Sequence, residues 1–178
     1  IFTTNEMDKD IFNKFGDRKG KNVVVSGYPG IEELMRPMGS KENVWKKQEK
    51  LKYKVIWAPH HTIEEDSPLG YSTFLLYADT ILELTKKLGD RVQFSLKPHP
   101  LLRDKLSSEN FWGKEKTDRY FEFWATSSNT QLEVSDYINL FIQSDAIIHD
   151  SGSFLAEYLY ANKPAMYLFS GKEQKLPY

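Results

Sequence analysis

The sequence AIIHDSGSFLAEYLYANKPAMYLF, residues 146–169, decides the fold class of this chain. Its first three residues are an apolar run of the kind that forms a buried strand, and a glycine-containing turn follows at 149–153. Residues 154–161 are typical of a helix, after which Asn162-Lys163-Pro164 turns the chain into a second apolar run at 165–169. A strand, a helix and a strand in this order predict a βαβ unit with parallel strands.

The same alternation continues towards the N-terminus. Short apolar runs predict further strands, and segments with apolar residues at spacings of three and four predict helices. The strand predictions are 23–25, 53–57 and 92–96, and the helix predictions are 31–35, 72–88 and 135–141. Because crossovers between parallel strands are right-handed, the prediction is an α/β fold with a Rossmann-like, doubly wound, mostly parallel sheet. Residues 101–129 are charged and aromatic and show no clear pattern.

Composition excludes several classes of protein. The chain has 178 residues, of which 40% are hydrophobic and 14% aromatic, and this is too apolar for a disordered protein. A formal net charge of −1 lacks the basic excess of a protein that coats nucleic acid, so no nucleic-acid partner is expected. The absence of cysteine excludes disulfides, thiolate zinc sites and thiol catalysis. We expect a single domain over residues 1–178, as a fragment of a longer protein, because Ile1 is not a natural start.

Unusual residues stand where four of the predicted strands end. These ends are 27–30, 60–61, 97–100 and 149–153, and all four histidines of the chain lie on three of them. Ligands of doubly wound sheets bind at the carboxyl ends of the parallel strands. We therefore expect the four segments to gather along one edge of the sheet and to form the binding site there.

The turn at 149–153 is the first candidate site. It leads from a strand into a helix whose first N–H groups lack intrahelical partners and carry partial positive charge, an arrangement that binds phosphate. Gly152 leaves room for a phosphate, and Ser151 and Ser153 add hydroxyl donors. The alternative is that Asp150 or Ser151 only caps the helix.

The segment Lys97-Pro98-His99-Pro100 is the second candidate site. Its two prolines fix the backbone on both sides of His99 and prevent a helix from forming there. Lys97, as a point charge, and His99, as a hydrogen-bond donor, are suited to a diphosphate. The alternative is a rigid loop whose histidine is solvated or packed.

His60, His61 and Glu157 are weaker candidates. Adjacent residues of a strand point to opposite faces, so we expect only one histidine of the pair, His60, to face the site. A zinc site needs three or four ligands, and no His-x-x-x-His spacing is present, so no metal ligand is predicted. Glu157 lies one helical turn after Ser153, where a carboxylate can accept hydrogen bonds from a ribose; the alternative is a solvent-facing glutamate.

Four short motifs, in this order, resemble those of the CDP-glycerol glycerophosphotransferases of teichoic acid synthesis. They are Gly27-Tyr28-Pro29, Trp57-Ala58-Pro59, Lys97-Pro98-His99-Pro100 and residues 144–153, and the resemblance runs from about Val23 to Phe169. This family is similar to GT-B glycosyltransferases, in which two Rossmann-like domains face a cleft. The resemblance implies that the chain is the C-terminal, donor-binding domain and that an acceptor-side domain precedes it.

The resemblance also implies roles for single residues. His99 matches the histidine of the family's Lys-x-His-Pro motif, which lies at the donor diphosphate, and it is the candidate catalytic residue. Asp150 and Ser153 match a family Asp-Tyr-Ser-Ser turn that holds phosphate. Glu157 matches an acidic position one turn later, a partner for the ribose.

The chain departs from the family pattern in two places. Ser151-Gly152 stands where the family has Tyr-Ser. His60-His61-Thr62 follows Trp57-Ala58-Pro59, where the family often has a threonine, an aromatic residue and an arginine. The departures bear on the identity of the donor, for which CDP-glycerol is the leading prediction.

The function that the resemblance implies is transfer of a glycerophosphate unit from CDP-glycerol to a polymeric or lipid-linked acceptor in cell-wall teichoic acid or capsule synthesis. It implies no cofactor, a general base on the preceding domain and a bacterial cytoplasmic location at the inner face of the plasma membrane, with any membrane association through other regions. The alternatives are a nucleotide-sugar-dependent GT-B glycosyltransferase, an epimerase and a non-catalytic nucleotide-binding module.

Overall fold

The computed structural model describes residues 1–35, 43–65, 67, 70–135 and 137–171. These residues divide into two compact units, Ile1–Pro37 and Met38–Tyr178, and each unit has a sheet of its own. A single domain over residues 1–178 stays a prediction, because compactness alone does not establish which part of a chain folds independently.

The first unit holds a two-stranded parallel sheet. Its elements are β1 (Phe2–Thr3), α1 (Glu6–Phe15), β2 (Val24–Val25) and α2 (Ile31–Met35). β2 pairs with β1, with Val24 opposite Phe2. The prediction that the strand at 23–25 joins the same sheet as the other predicted strands is therefore wrong, because β1 is its hydrogen-bonding partner. The segment 27–30 consequently does not follow a strand of the five-stranded sheet, which belongs to the second unit.

The second unit alternates strands and helices along the chain. Its elements are β3 (Tyr53–Ala58), α3 (Phe74–Lys87), β4 (Val92–Leu96), α4 (Leu102–Leu106), α5 (Gly113–Thr126), β5 (Thr130–Leu132), α6 (Ile138–Gln143), β6 (Ala146–His149), α7 (Gly152–Tyr158), a 3₁₀ turn (Leu159–Ala161) and β7 (Ala165–Tyr167). In the described part of the chain, no helix is both long and apolar enough to cross a membrane.

The five strands of the second unit form one parallel sheet in the order β5-β4-β3-β6-β7. Counted from β3, this is the 3-2-1-4-5 order of Rossmann folds, in which the winding direction reverses between the first and fourth strands. The predicted fold is therefore confirmed. Ala58 is the register partner of His149, so the carboxyl ends of β3 and β6 lie side by side at the reversal point.

Aromatic residues fill the core on one face of the sheet. The Trp57 ring of β3 stacks on the Phe74 ring of α3, with centroids 5.4 Å apart and planes 6° from parallel. Trp124 of α5 lies against the same tryptophan, at a centroid distance of 5.8 Å. All three side chains are at most 1% exposed. Burial of rings of this size supplies a large part of the hydrophobic stabilisation of the unit.

The stretch that showed no clear pattern in the sequence contains two helices and leads into a strand. α5 buries Thr117, Tyr120, Phe121 and Trp124, which recur at spacings of three and four, while charged residues cover its other face. β5 follows and adds the outermost strand beside β4. Its short, polar sequence Thr-Gln-Leu gives no strand signal, although Thr130 is fully buried and its hydroxyl donates to Trp124 O at 3.0 Å.

Candidate functional site

A cavity of about 310 Å³ lies at the carboxyl edge of the five-stranded sheet. Its walls come from the residues that follow β3, β4, β5 and β6 and from the first turn of α7. The lining residues are Ala58, Pro59, His60, Lys97, Pro98, His99, Pro100, Val134, Ser135, Tyr137, Ser151, Ser153 and Phe154. This is the edge at which ligands bind in doubly wound sheets.

Five of the eight predicted site residues line this cavity, namely His60, Lys97, His99, Ser151 and Ser153. The end of β3 and the residue after it hold the segment 97–100 there, since Lys97 N donates to Trp57 O at 2.8 Å and His99 N donates to Pro59 O at 3.1 Å. α4 begins two residues after Pro100, at Leu102. The segment is not helical, as its two prolines predict, and His99 lines the same cavity as Ser153 of α7.

His99 presents one ring nitrogen to a backbone donor. Its Nδ1 accepts a hydrogen bond from the Leu101 amide at 3.2 Å. In a neutral imidazole with this bond, the ring proton is on Nε2, which is then a hydrogen-bond donor. Burial, with His61, Lys105 and Lys97 nearby, holds the pKa of His99 below 6.5, so the neutral form predominates near neutral pH.

Lys97 is buried in the cavity wall. Its side chain is among the buried polar groups, with 5% of the residue exposed, and its Nζ donates to Ser135 O at 3.0 Å. A buried ammonium next to a small cavity is a fixed positive charge whose field is weakly screened by water. The cavity is thus electrostatically suited to an anionic group.

Asp150 is 1% exposed and is not among the residues that line the cavity. Its Oδ1 accepts from His60 N at 2.7 Å, and its Oδ2 accepts from Thr73 N at 2.6 Å and Thr73 Oγ1 at 3.0 Å. Burial raises the pKa of Asp150 and these donors oppose the rise. The carboxylate therefore ties the segments after β3 and β6 to Thr73, the N-cap residue of α3. Direct phosphate contact by Asp150 stays a prediction.

Ser151 and Gly152 form the entry to α7. Ser151 occupies the N-cap position with extended backbone, but its side chain makes no capping hydrogen bond, so the sequence alternative that it only caps the helix has no support. A Cβ placed on Gly152 would meet no atom within 4 Å. Packing within the described residues therefore does not demand glycine here, and the open space beside the helix start is available to a ligand.

Glu157 is only 6% exposed. The sequence alternative of a solvent-facing glutamate is therefore wrong, because the α7 face that carries Glu157 and Tyr158 is turned inwards. Glu157 does not line the 310 Å³ cavity, and its role as a ribose partner stays a prediction.

His60 and His61 lie beyond the end of β3, so the strand rule that separates neighbouring side chains does not apply to them. Their ring centroids are 4.4 Å apart, and His99 lies 5.1 Å from His60 and 4.0 Å from His61. Of the pair, only His60 lines the cavity, but the two side chains do not point to opposite faces, because both rings lie beside His99. Burial and the neighbouring rings of His61 and His99 lower the pKa of His60 to about 4, and burial also lowers that of His61.

Residues after β5 were missed in the sequence. Ser135 and Tyr137 line the cavity, and Ser135 O binds the Lys97 ammonium. Both residues follow β5, so the rule that sites lie at strand ends would predict them only if β5 were predicted. The sequence Thr130–Leu132 gives no strand signal. Thr73 was likewise missed, because its partner Asp150 is 77 positions away in the chain.

His149, at the end of β6, is fully buried. Its Nδ1 lies 3.0 Å from Ser151 O, and because a carbonyl oxygen only accepts, Nδ1 carries the ring proton. Its Nε2 is buried and has no hydrogen-bond partner among the described residues. A second proton would place a charge in the core, so burial lowers the pKa of His149 below 6.5.

Acid is therefore expected to destabilise the chain through His149. As the pH falls below the ordinary histidine value of 6.5, the unfolded chain takes up a proton before the folded one. The free energy of unfolding therefore falls as the pH drops from 6.5 to the lower pKa of the folded state. For one group the slope is at most about 1.4 kcal/mol per pH unit. Urea unfolding between about pH 7.5 and about pH 5.5 measures the decline in the free energy of unfolding.

His149→Asn is the matched variant, because an amide still donates to Ser151 O but does not titrate. We expect a shallower decline with pH than in the unaltered chain, although not a flat one, since the other three histidines also have lowered pKa values. An identical pH slope in the two proteins would show that His149 does not contribute.

Comparison with known protein families shows which family this chain belongs to. The family model for CDP-Glycerol:Poly(glycerophosphate) glycerophosphotransferase matches residues 1–174. The chain belongs to this family. Among curated proteins, none matches the sequence at a significant level.

Two solved structures show the same fold as this glycerophosphotransferase-family chain. The wall teichoic acid polymerase TagF aligns at 20% identity and a TM-score of 0.51, over 93% of this chain and 38% of that one. A TagF variant soaked with CDPG aligns at 22% identity and a TM-score of 0.53, with the same coverage. The chain thus spans 38% of the length of TagF. Together with the strand order, the alignment confirms the predicted GT-B-like fold.

Proposed function

We propose that this chain is the donor-binding domain of a CDP-glycerol-dependent glycerophosphotransferase of teichoic acid or capsule synthesis. Family membership supports the reaction class. The observation that carries the proposal is the cavity at the reversal point of the sheet, where Lys97, His99 and Ser153 share one set of walls. A buried ammonium, an imidazole N–H and a hydroxyl at a helix start are the groups that a diphosphate requires.

The proposed reaction transfers a phosphoryl-linked glycerol. An acceptor hydroxyl oxygen attacks the phosphorus that carries glycerol, the bond from that phosphorus to the bridging oxygen breaks, and CMP leaves with the electron pair. A general base on the acceptor side of the protein takes the hydroxyl proton. Negative charge grows on the leaving phosphate, so fixed donors that meet it lower the barrier. His99 Nε2–H and Lys97 are the residues that we assign to this charge.

Ligand titration tests the proposal directly. We expect isothermal calorimetry of the whole protein to detect binding of CDP-glycerol in preference to UDP- and GDP-linked compounds. Tighter binding of a UDP- or GDP-sugar would favour the glycosyltransferase alternative, and epimerised product would favour an epimerase. Donor binding without release of CMP in the presence of acceptor would reduce the assignment to a binding module.

Ser153→Ala tests the helix start in the same assay. Ser153 is exposed at the cavity, and loss of one hydrogen bond to a charged phosphate should weaken donor binding about tenfold. The melting temperature should not change. Ser108→Ala, also at an exposed serine but between α4 and α5, is the control and should bind the donor normally. A stability loss with intact binding would instead make Ser153 a structural residue.

A further inference from the structure

Three imidazole rings, those of His60, His61 and His99, meet at the rim of the cavity. One nitrogen from each ring lies within 4.8 Å of a nitrogen of both other rings. A tetrahedral metal ion bound at about 2.0–2.1 Å would hold such nitrogens roughly 3.3 Å apart, so each pair must approach by about 1.5 Å at most. All three rings are partly exposed, which leaves a path for an ion from solvent.

We propose that His60, His61 and His99 form a binding site for a divalent transition-metal ion of the zinc class. Three imidazole ligands with one open position are a recurrent zinc coordination set. Imidazole also suits cobalt, nickel and copper, whereas magnesium and calcium select oxygen ligands. The site is absent from the sequence prediction, because neighbouring histidines were expected to diverge.

The hydrogen bonds around the rings bear on which nitrogens bind. His61 Nδ1 is buried and has no hydrogen-bond partner among the described residues, which is a cost that a metal ion would remove. His60 Nδ1 accepts a hydrogen bond from Thr62 N at 3.4 Å and lies 2.9 Å from Thr62 Oγ1. Coordination by His60 Nε2 therefore requires the ring proton to move to Nδ1, which can then donate to Thr62 Oγ1. Coordination by His99 Nε2 requires its ring proton to move to Nδ1, at the loss of the 3.2 Å bond from Leu101 N.

The charges that face the cluster are compatible with a cation. The positive charge of Lys105 lowers the pKa of all three histidines, but its Nζ pairs with Glu64 Oε1 at 2.5 Å. The Glu64 carboxylate raises the pKa of His61, whereas Lys105 lowers it. The positive charge of Lys97 also lowers the pKa of His99. Near neutral pH the rings are uncharged, which is the form of histidine that binds metal.

The proposed metal site shares His60 and His99 with the donor cavity, so metal binding is tested without nucleotide. In calorimetry near neutral pH, we expect one Zn²⁺ ion to bind per chain and millimolar Mg²⁺ not to compete. Co²⁺ should give the visible absorption of a four-coordinate site. His61→Ala, which leaves the residues assigned to the donor in place, should weaken Zn²⁺ binding roughly 100-fold or more, since loss of a supporting partner alone costs about 10- to 100-fold.

His149→Asn is the matched control, because it removes the one histidine outside the cluster, and its Zn²⁺ affinity should equal that of the unaltered protein. Thermal melts establish that both variants are folded. No Zn²⁺ binding by the unaltered protein, or equal affinity in His61→Ala, would overturn the proposal. Donor titrations run with a chelator separate the two hypotheses: donor binding that persists there supports the proposed function whether or not the metal site exists.

Discussion

Asp150→Ala is expected to lower the free energy of unfolding by about 3–5 kcal/mol. The carboxylate accepts three hydrogen bonds, from His60 N, Thr73 N and Thr73 Oγ1, at a site that is 1% exposed. Alanine leaves all three donors buried without an acceptor, and each unsatisfied donor costs about 1–3 kcal/mol. Equilibrium unfolding in urea, followed by tryptophan fluorescence, measures the change.

Two further variants make this result specific. Asp150→Asn keeps one acceptor oxygen and nearly the same shape, so it should lie between the alanine variant and the unaltered chain. Asp118→Ala removes an exposed carboxylate that pairs with Arg103 and Lys114, and it should leave the unfolding midpoint unchanged. A stable Asp150→Ala protein that has lost only its donor affinity would contradict the positioning role and make Asp150 a direct ligand of the phosphate.

His99→Ala is expected to slow CMP release by the whole protein about 100-fold, while its melting temperature stays nearly unchanged. The ring is partly exposed and contributes little to the core, whereas its Nε2–H is assigned to the leaving phosphate. Removal of one donor that meets developing negative charge costs about 100- to 1,000-fold in rate in comparable sites. A coupled assay of CMP, with CDP-glycerol and acceptor, measures the rate.

His99→Gln is the matched variant, since a glutamine amide places an N–H near the position of Nε2 and should recover part of the rate. Both variants are assayed with a chelator, so that a metal ion at the three-histidine cluster does not contribute to the difference. Normal donor affinity and normal turnover in His99→Ala would refute the assignment of His99.

Several features of this protein follow from local sequence and were predictable. The apolar runs at 53–57, 92–96 and 146–148 form strands of the sheet, and the 72–88 pattern forms α3, with Phe74, Ala78, Ile81 and Thr85 buried as one stripe. These signals are local because burial of one face sets the spacing of apolar residues within a single element. The alternation of elements then limits the topology to a doubly wound sheet.

The candidate site was predictable only in part. Pro98 and Pro100 constrain His99 through their own rings, and the Gly-Ser turn places Ser153 at a helix start, so both reach the cavity as expected. β5 could not be predicted, because a three-residue polar strand acquires its structure from β4 and α5 rather than from its own residues.

Local sequence patterns are therefore enough to predict the fold class, most of the strand and helix order, and the two segments that carry His99 and Ser153. The folded chain was needed to show that β2 pairs with β1, that Asp150 accepts from Thr73 and that the rings of His60 and His61 both lie beside His99. The physical reason is the range of the interactions. Periodicity and turn chemistry act within a few residues, whereas strand partners and the direction of side chains beyond a strand end are set by contacts between distant segments.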